Sequence, residues 1–147
     1  MSAPAPDAEL RRAAASLELV RGQMEALARQ AETLEIAHEE VLRARESLKQ
    51  SAAAGAGREL LMPIGANSFL VGSLKDAERV IVGIGSDVAL EMTVSAAIER
   101  LEARSKAIEE AERGLAERLA QMEAQAGAQE RRVQDLYERA QGGAAPG

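Results

Sequence analysis

The chain has 147 residues with 24 acidic and 18 basic side chains, a net charge of −6 that argues against duplex nucleic acid and acidic substrates, which need clustered Lys and Arg. Phe69 and Tyr137 are its only aromatic residues and it has no Cys, which excludes an aromatic-rich core, disulfides, thiolate nucleophiles and Cys-bound metal. No export signal is visible in residues 1–7, and no stretch approaches the roughly 18 apolar residues of a membrane span, so a cytoplasmic location is expected.

Residues 1–7, with Pro4 and Pro6 among small side chains, are expected to form a disordered lead. From residue 8 the chain is rich in good helix formers, with Gly22 the one interior breaker before residue 50. Leu10, Leu17, Met24, Ala31 and His38 interleave with Ala13, Val20, Leu27, Leu34, Val41 and Leu48 at alternating steps of three and four, the seam of a coiled coil. Small residues at 51–57 then end the helix, so that helix and loop together cover 8–57.

Between residues 58 and 93 the period becomes strand-like. Segments 59–64 and 68–74 flank Gly65-Ala66-Asn67, and segments 79–84 and 88–93 flank Gly85-Ser86-Asp87, which predicts two successive β-hairpins. Val88, Leu90 and Met92 alternate with Ala89, Glu91 and Thr93, so the last strand has one apolar face. Val80-Ile81-Val82-Gly83-Ile84 does not alternate, the pattern of a strand covered on both sides. Four short strands have too little partner surface within one chain, so Ile64, Phe69, Val71, Val80, Val82, Ile84, Val88, Leu90 and Met92 are expected at an interface between subunits.

Thr93 is a candidate N-cap for a second helix over 94–140, followed by a flexible tail over 141–147. Val94, Leu101, Ile108, Leu115, Met122 and Leu136 form one apolar series of that helix, and Ile98, Leu119, Ala126, Val133 and Ala140 the other. The fold class is therefore α+β: a long antiparallel coiled-coil hairpin of two helices joined by two β-hairpins, whose strands are expected to be covered by other subunits. Two helices of this length would make the molecule elongated.

The strand segments Glu59-Leu60-Leu61-Met62-Pro63-Ile64-Gly65-Ala66-Asn67-Ser68-Phe69 and Val80-Ile81-Val82-Gly83-Ile84-Gly85-Ser86-Asp87-Val88-Ala89-Leu90-Glu91, set between heptads, resemble the alpha subunits of the archaeal prefoldin family. The resemblance spans nearly all of the chain outside its two tails, and two hairpins rather than one mark the alpha class. It implies an ATP-independent chaperone subunit, two alpha with four beta-type subunits in a hexamer, unfolded proteins as clients and a group II chaperonin as receiver. One departure is Ala96, where an acidic residue would complete a capping box with Thr93.

The remaining candidates are weaker. Gly83-Ile84-Gly85 follows a strand but lacks a third glycine and a following helix, so a turn is preferred to a nucleotide site. His38 lies on the seam near Ser105 and Glu112 of the other helix, where it either fixes register or, the preferred reading, snorkels to solvent; no second His or Cys exists to complete a metal site. Arg11-Arg12 and Arg131-Arg132 would meet at the open end, as a positive rim or as a solvated face balanced by Glu9 and Glu130. At that end the seam weakens through Ala126, Gln129 and Ala140, and Leu10, Leu17, Val20, Val133 and Leu136 are the candidate client-binding residues; ordinary end fraying is the alternative. No catalytic set, cofactor or membrane partner is indicated. A filament or spacer assembled through the same strands is the rival function.

Overall fold

The computed structural model describes residues 5–143. Helix α1 spans Pro6–Ala54, strands β1 Glu59–Gly65, β2 Ser68–Ser73, β3 Arg79–Gly85 and β4 Val88–Thr93 follow, and helix α2 spans Val94–Gly143. The lead expected over 1–7 and the tail over 141–147 lie partly outside the described residues. Within them, α1 starts at Pro6 because the first helical position has no use for the N–H that proline lacks. The N–H groups of Ala8 and Glu9 donate to the Ala5 carbonyl at 2.9 and 3.2 Å, closing that first turn.

At its other end α1 stops where Gly55 takes φ 80°, and the Gly55 N–H donates to the Ser51 carbonyl at 3.0 Å. This left-handed cap is the conformation that glycine adopts without steric penalty. Helix α2 begins with the Ala96 N–H donating to Thr93 Oγ1 at 3.2 Å, so Thr93 caps the helix without a reciprocal glutamate. The backbone N–H of Val94 also donates to the Glu78 carbonyl at 3.1 Å.

The chain divides into two compact units. One consists of Ile36–Glu109 and carries both hairpins on the adjoining helix segments. Val41, Val94, Ala97, Leu101, Ser105 and Ile108 are buried in it. Each hairpin is a separate two-stranded antiparallel sheet. The N–H of Gly57 donates to the Leu74 carbonyl at 2.7 Å and the Leu74 N–H to the Arg58 carbonyl at 2.8 Å, extending the first ladder into the loop after α1.

The other unit joins the residues up to Glu35 with those from Glu110 onward. Ala13, Leu17, Leu27, Ala126 and Leu136 form its core, all on predicted seam positions. Arg21 pairs with Glu130 at 2.9 Å, Glu9 to Ser16 share a hollow with Gln129 and Arg132, and Ala26 to Leu34 share a groove with Ala111 to Arg118. As one helix advances the other retreats, so the pairing is antiparallel.

Candidate assembly surface and client-binding end

Both hairpins turn through two residues rather than three. Ala66 and Asn67 have φ of 49° and 56°, and Ser86 and Asp87 have 51° and 59°, the left-handed pair that matches the twist of flanking strands. Gly65 and Gly85, at φ 98° and 109°, belong to the strands instead. Between Pro63 and Gly65, and again between Gly83 and Gly85, the register slips by one residue, so Ile64 and Ile84 are the extra residues of two β-bulges.

The first hairpin is apolar on both faces. Leu61 opposes Val71 and Pro63 opposes Phe69 on one side, while Met62 opposes Leu70 and Leu60 opposes Gly72 on the other. Met62 leans over Gly72, its Cε only 2.8 Å from where a Cβ would stand. All residues from Leu61 to Leu70 are exposed, with Leu61 62% and Val71 66% accessible. Contiguous exposed aliphatic side chains on both faces of a two-stranded sheet mark a surface built to be covered.

The second hairpin is one-sided. Val80 opposes Met92 and Val82 opposes Leu90 on the apolar face; Val80, Val82 and Met92 are half-buried and Leu90 is exposed. On the opposite face Arg79 reaches Glu91 at 3.0 Å and Asp76 at 3.1 Å, with Ile81 beside them and exposed. Of the residues expected at a subunit interface, Ile64, Phe69, Val71, Ile84, Val88 and Leu90 are exposed in the single chain. Leu61, Met62, Leu70 and Ile81 share that exposure; the run of apolar residues around Leu61 and Leu70 is the signal that identifies them.

The five candidate client-binding residues all fall in the unit that holds the chain ends. Leu10, Val20 and Val133 are half-buried there, whereas Leu17 at 7% and Leu136 at 5% exposure are core residues. Leu19 and Tyr137 are the large apolar side chains exposed nearby, both lying off the seam. Arg12 and Arg132 line one hollow together with Glu9, so the basic pairs meet beside a countercharge. Glu130 is engaged by Arg21.

His38 does not snorkel. Its side chain is 20% exposed and Nε2 lies 3.1 Å from Ser105 Oγ and 3.6 Å from a Glu109 carboxylate oxygen. The ring bonds the buried Ser105 hydroxyl, which would lose this partner if the imidazole swung out to solvent. Gly83 and Gly85 line a hollow with Arg100 and Arg104, with a strand rather than a helix following. Among the described residues there is no cluster of three metal-ligating side chains, and no helix is long and apolar enough to cross a membrane.

Two long helices that pair through heptads and carry two hairpins with exposed apolar side chains define a coiled-coil protein with strand insertions. Residues 20–139 match the family model "Prefoldin subunit", and the chain belongs to the prefoldin family, a family of chaperone subunits. It is 34% identical over 132 residues to the prefoldin subunit alpha of Pyrococcus horikoshii, covering 89% of each chain. Against the prefoldin subunit alpha of Methanospirillum hungatei it is 31% identical over 141 residues, 96% of this chain and 94% of that one. A chain of the cryo-EM structure of filamentous PFD from Methanocaldococcus jannaschii has the same fold, with a TM-score of 0.67 at 18% identity over 77% of this chain and 93% of that one.

Proposed function

We propose that the chain is the alpha-type subunit of a hexameric, ATP-independent holdase in the cytoplasm, two such subunits assembling with four beta-type subunits. Strands of neighbouring subunits complete the hairpins into a β-barrel platform, and the helix pairs present their ends to an unfolded protein. Each apolar contact at Leu10, Leu17, Val20, Val133 or Leu136 is weak, and tethering several on one platform multiplies them through effective concentration. The client then passes to a group II chaperonin. No step calls for catalysis or a cofactor.

The observation that carries this reading is the first hairpin: six large aliphatic or aromatic side chains exposed on two faces of an open-edged sheet demand partner strands. Leu17 and Leu136 are buried in the seam, so on this reading they are released from it before they touch a client. Short seam residues beside them, such as Ala13 and Ala126, weaken the packing that would resist this opening. Co-expression with a beta-type subunit should give a closed hexamer by native mass measurement that suppresses aggregation of a denatured model protein without ATP. A complex of correct mass with no such activity would overturn the holdase reading.

A second reading, a filament or spacer assembled through the same strands, is favoured by the open edges of both hairpins. Electron microscopy separates them: closed particles support the chaperone and open rods the filament.

A further inference from the structure

In the unit that holds the chain ends, Ala26, Arg29, Gln30, Thr33 and Leu34 of α1 and Ala111, Gly114, Leu115 and Arg118 of α2 line a groove of about 730 Å³. We propose that this groove docks an acidic amphipathic helix of a folded partner protein, at a site separate from the candidate client-binding residues and independent of their role.

Three features converge on that occupant. The groove is floored by Leu34 and Leu115, half-buried seam residues that longer flanking side chains would ordinarily cover. Here Ala26, Thr33, Ala111 and Gly114 are too short, so the two leucines stay open to one side. The lining residues also recur at steps of three, four and seven on each helix, giving two ridges with a furrow between them, the shape that accepts a third helix.

Charge selects the partner. Arg29 and Arg118 are both exposed on the groove, and among the described residues neither takes part in an ion pair. Two unpaired guanidinium groups on an acidic protein suit carboxylates, which the planar fork binds in a bidentate manner. A helix with Leu at i and i+3 or i+4 and Glu one turn away places its aliphatic side chains over Leu34 and Leu115 and its carboxylates at Arg29 and Arg118.

The test uses the full chain and two fluorescent synthetic helical peptides, one with Leu and Glu at these spacings and one with Lys in place of Glu. Anisotropy should report binding of the Glu peptide and little of the Lys peptide. Gly114→Leu fills the furrow; a Cβ there meets nothing within 4 Å, and the change favours the helix. It should weaken the Glu peptide by about tenfold or more, with native mass and circular dichroism unchanged. Arg29→Glu with Arg118→Glu should reverse the preference to the Lys peptide. No binding of the Glu peptide, equal binding of both peptides, or indifference to Gly114→Leu would overturn the proposal. Self-association abolished by Gly114→Leu would likewise overturn it, by assigning the groove to a second copy.

Discussion

Val71→Asp is the cleanest perturbation of the assembly surface, because the side chain is 66% exposed in the single chain and contributes little to its fold. Full burial of a valine is worth about 2 kcal/mol, so about 1.3 kcal/mol of that remains to be gained when partner strands cover it. An aspartate loses this and places a polar group in an apolar contact, at a further cost of about 1–3 kcal/mol. The sum of about 2.3–4.3 kcal/mol weakens each contact by roughly 50- to 1,000-fold. By comparison the hairpin itself loses only the cross-strand pair with Leu61, on the order of 0.5 kcal/mol. The assay is native mass measurement after co-expression with a beta-type subunit, beside circular dichroism of the purified chain. Leu19→Asp, an equally exposed aliphatic site on α1, is the control and should assemble normally. A Val71→Asp chain that assembles at wild-type concentration would refute the assignment of the first hairpin to the subunit interface. Val82 is a poorer probe, since it is already half-buried by its own chain.

Ser105→Ala deprives His38 of its 3.1 Å partner and should lower the stability of the chain by about 1 kcal/mol in thermal unfolding at fixed concentration. His38→Leu combined with Ser105→Ala replaces the pair by apolar contact and should restore or exceed wild-type stability; a neutral Ser105→Ala would show that the bond contributes nothing. Thr93→Ala removes the cap on the Ala96 N–H and should cost about 1 kcal/mol, while Thr93→Ser should retain most of it.

The heptads made the helix pairing legible because burial in a coiled coil depends on spacing alone, and Leu17, Leu27, Leu101 and Ile108 sit where that spacing places them. The hairpins were legible through their turn residues, but the division of Gly65-Ala66-Asn67 into a strand-end glycine and a two-residue turn depends on which backbone groups pair across the strands. Ala97 is fully buried although no periodicity singles it out, since alanine carries too little apolar weight to mark a seam. Heptad spacing brings His38 near Ser105 but does not set the register of the two helices to within a bond length, so the 3.1 Å contact that keeps the ring in the seam is visible only in the structure. The groove beside Leu34 and Leu115 was hidden for a related reason: Ala26, Ala111 and Gly114 look like ordinary small residues of a solvent face until the second helix stands opposite.

The central claim, that an assembled subunit of this kind holds clients at its helix ends, is tested most directly by removing those ends. Deleting the residues before Met24 and after Met122 takes away all five candidate client-binding residues and leaves the groove and both hairpins intact. Co-expressed with a beta-type subunit and confirmed as a complex of the expected mass, this variant should lose most of its suppression of a denatured model protein's aggregation relative to the full-length complex. Undiminished suppression by the correctly assembled, end-deleted complex would contradict the account and move client capture to the strand platform.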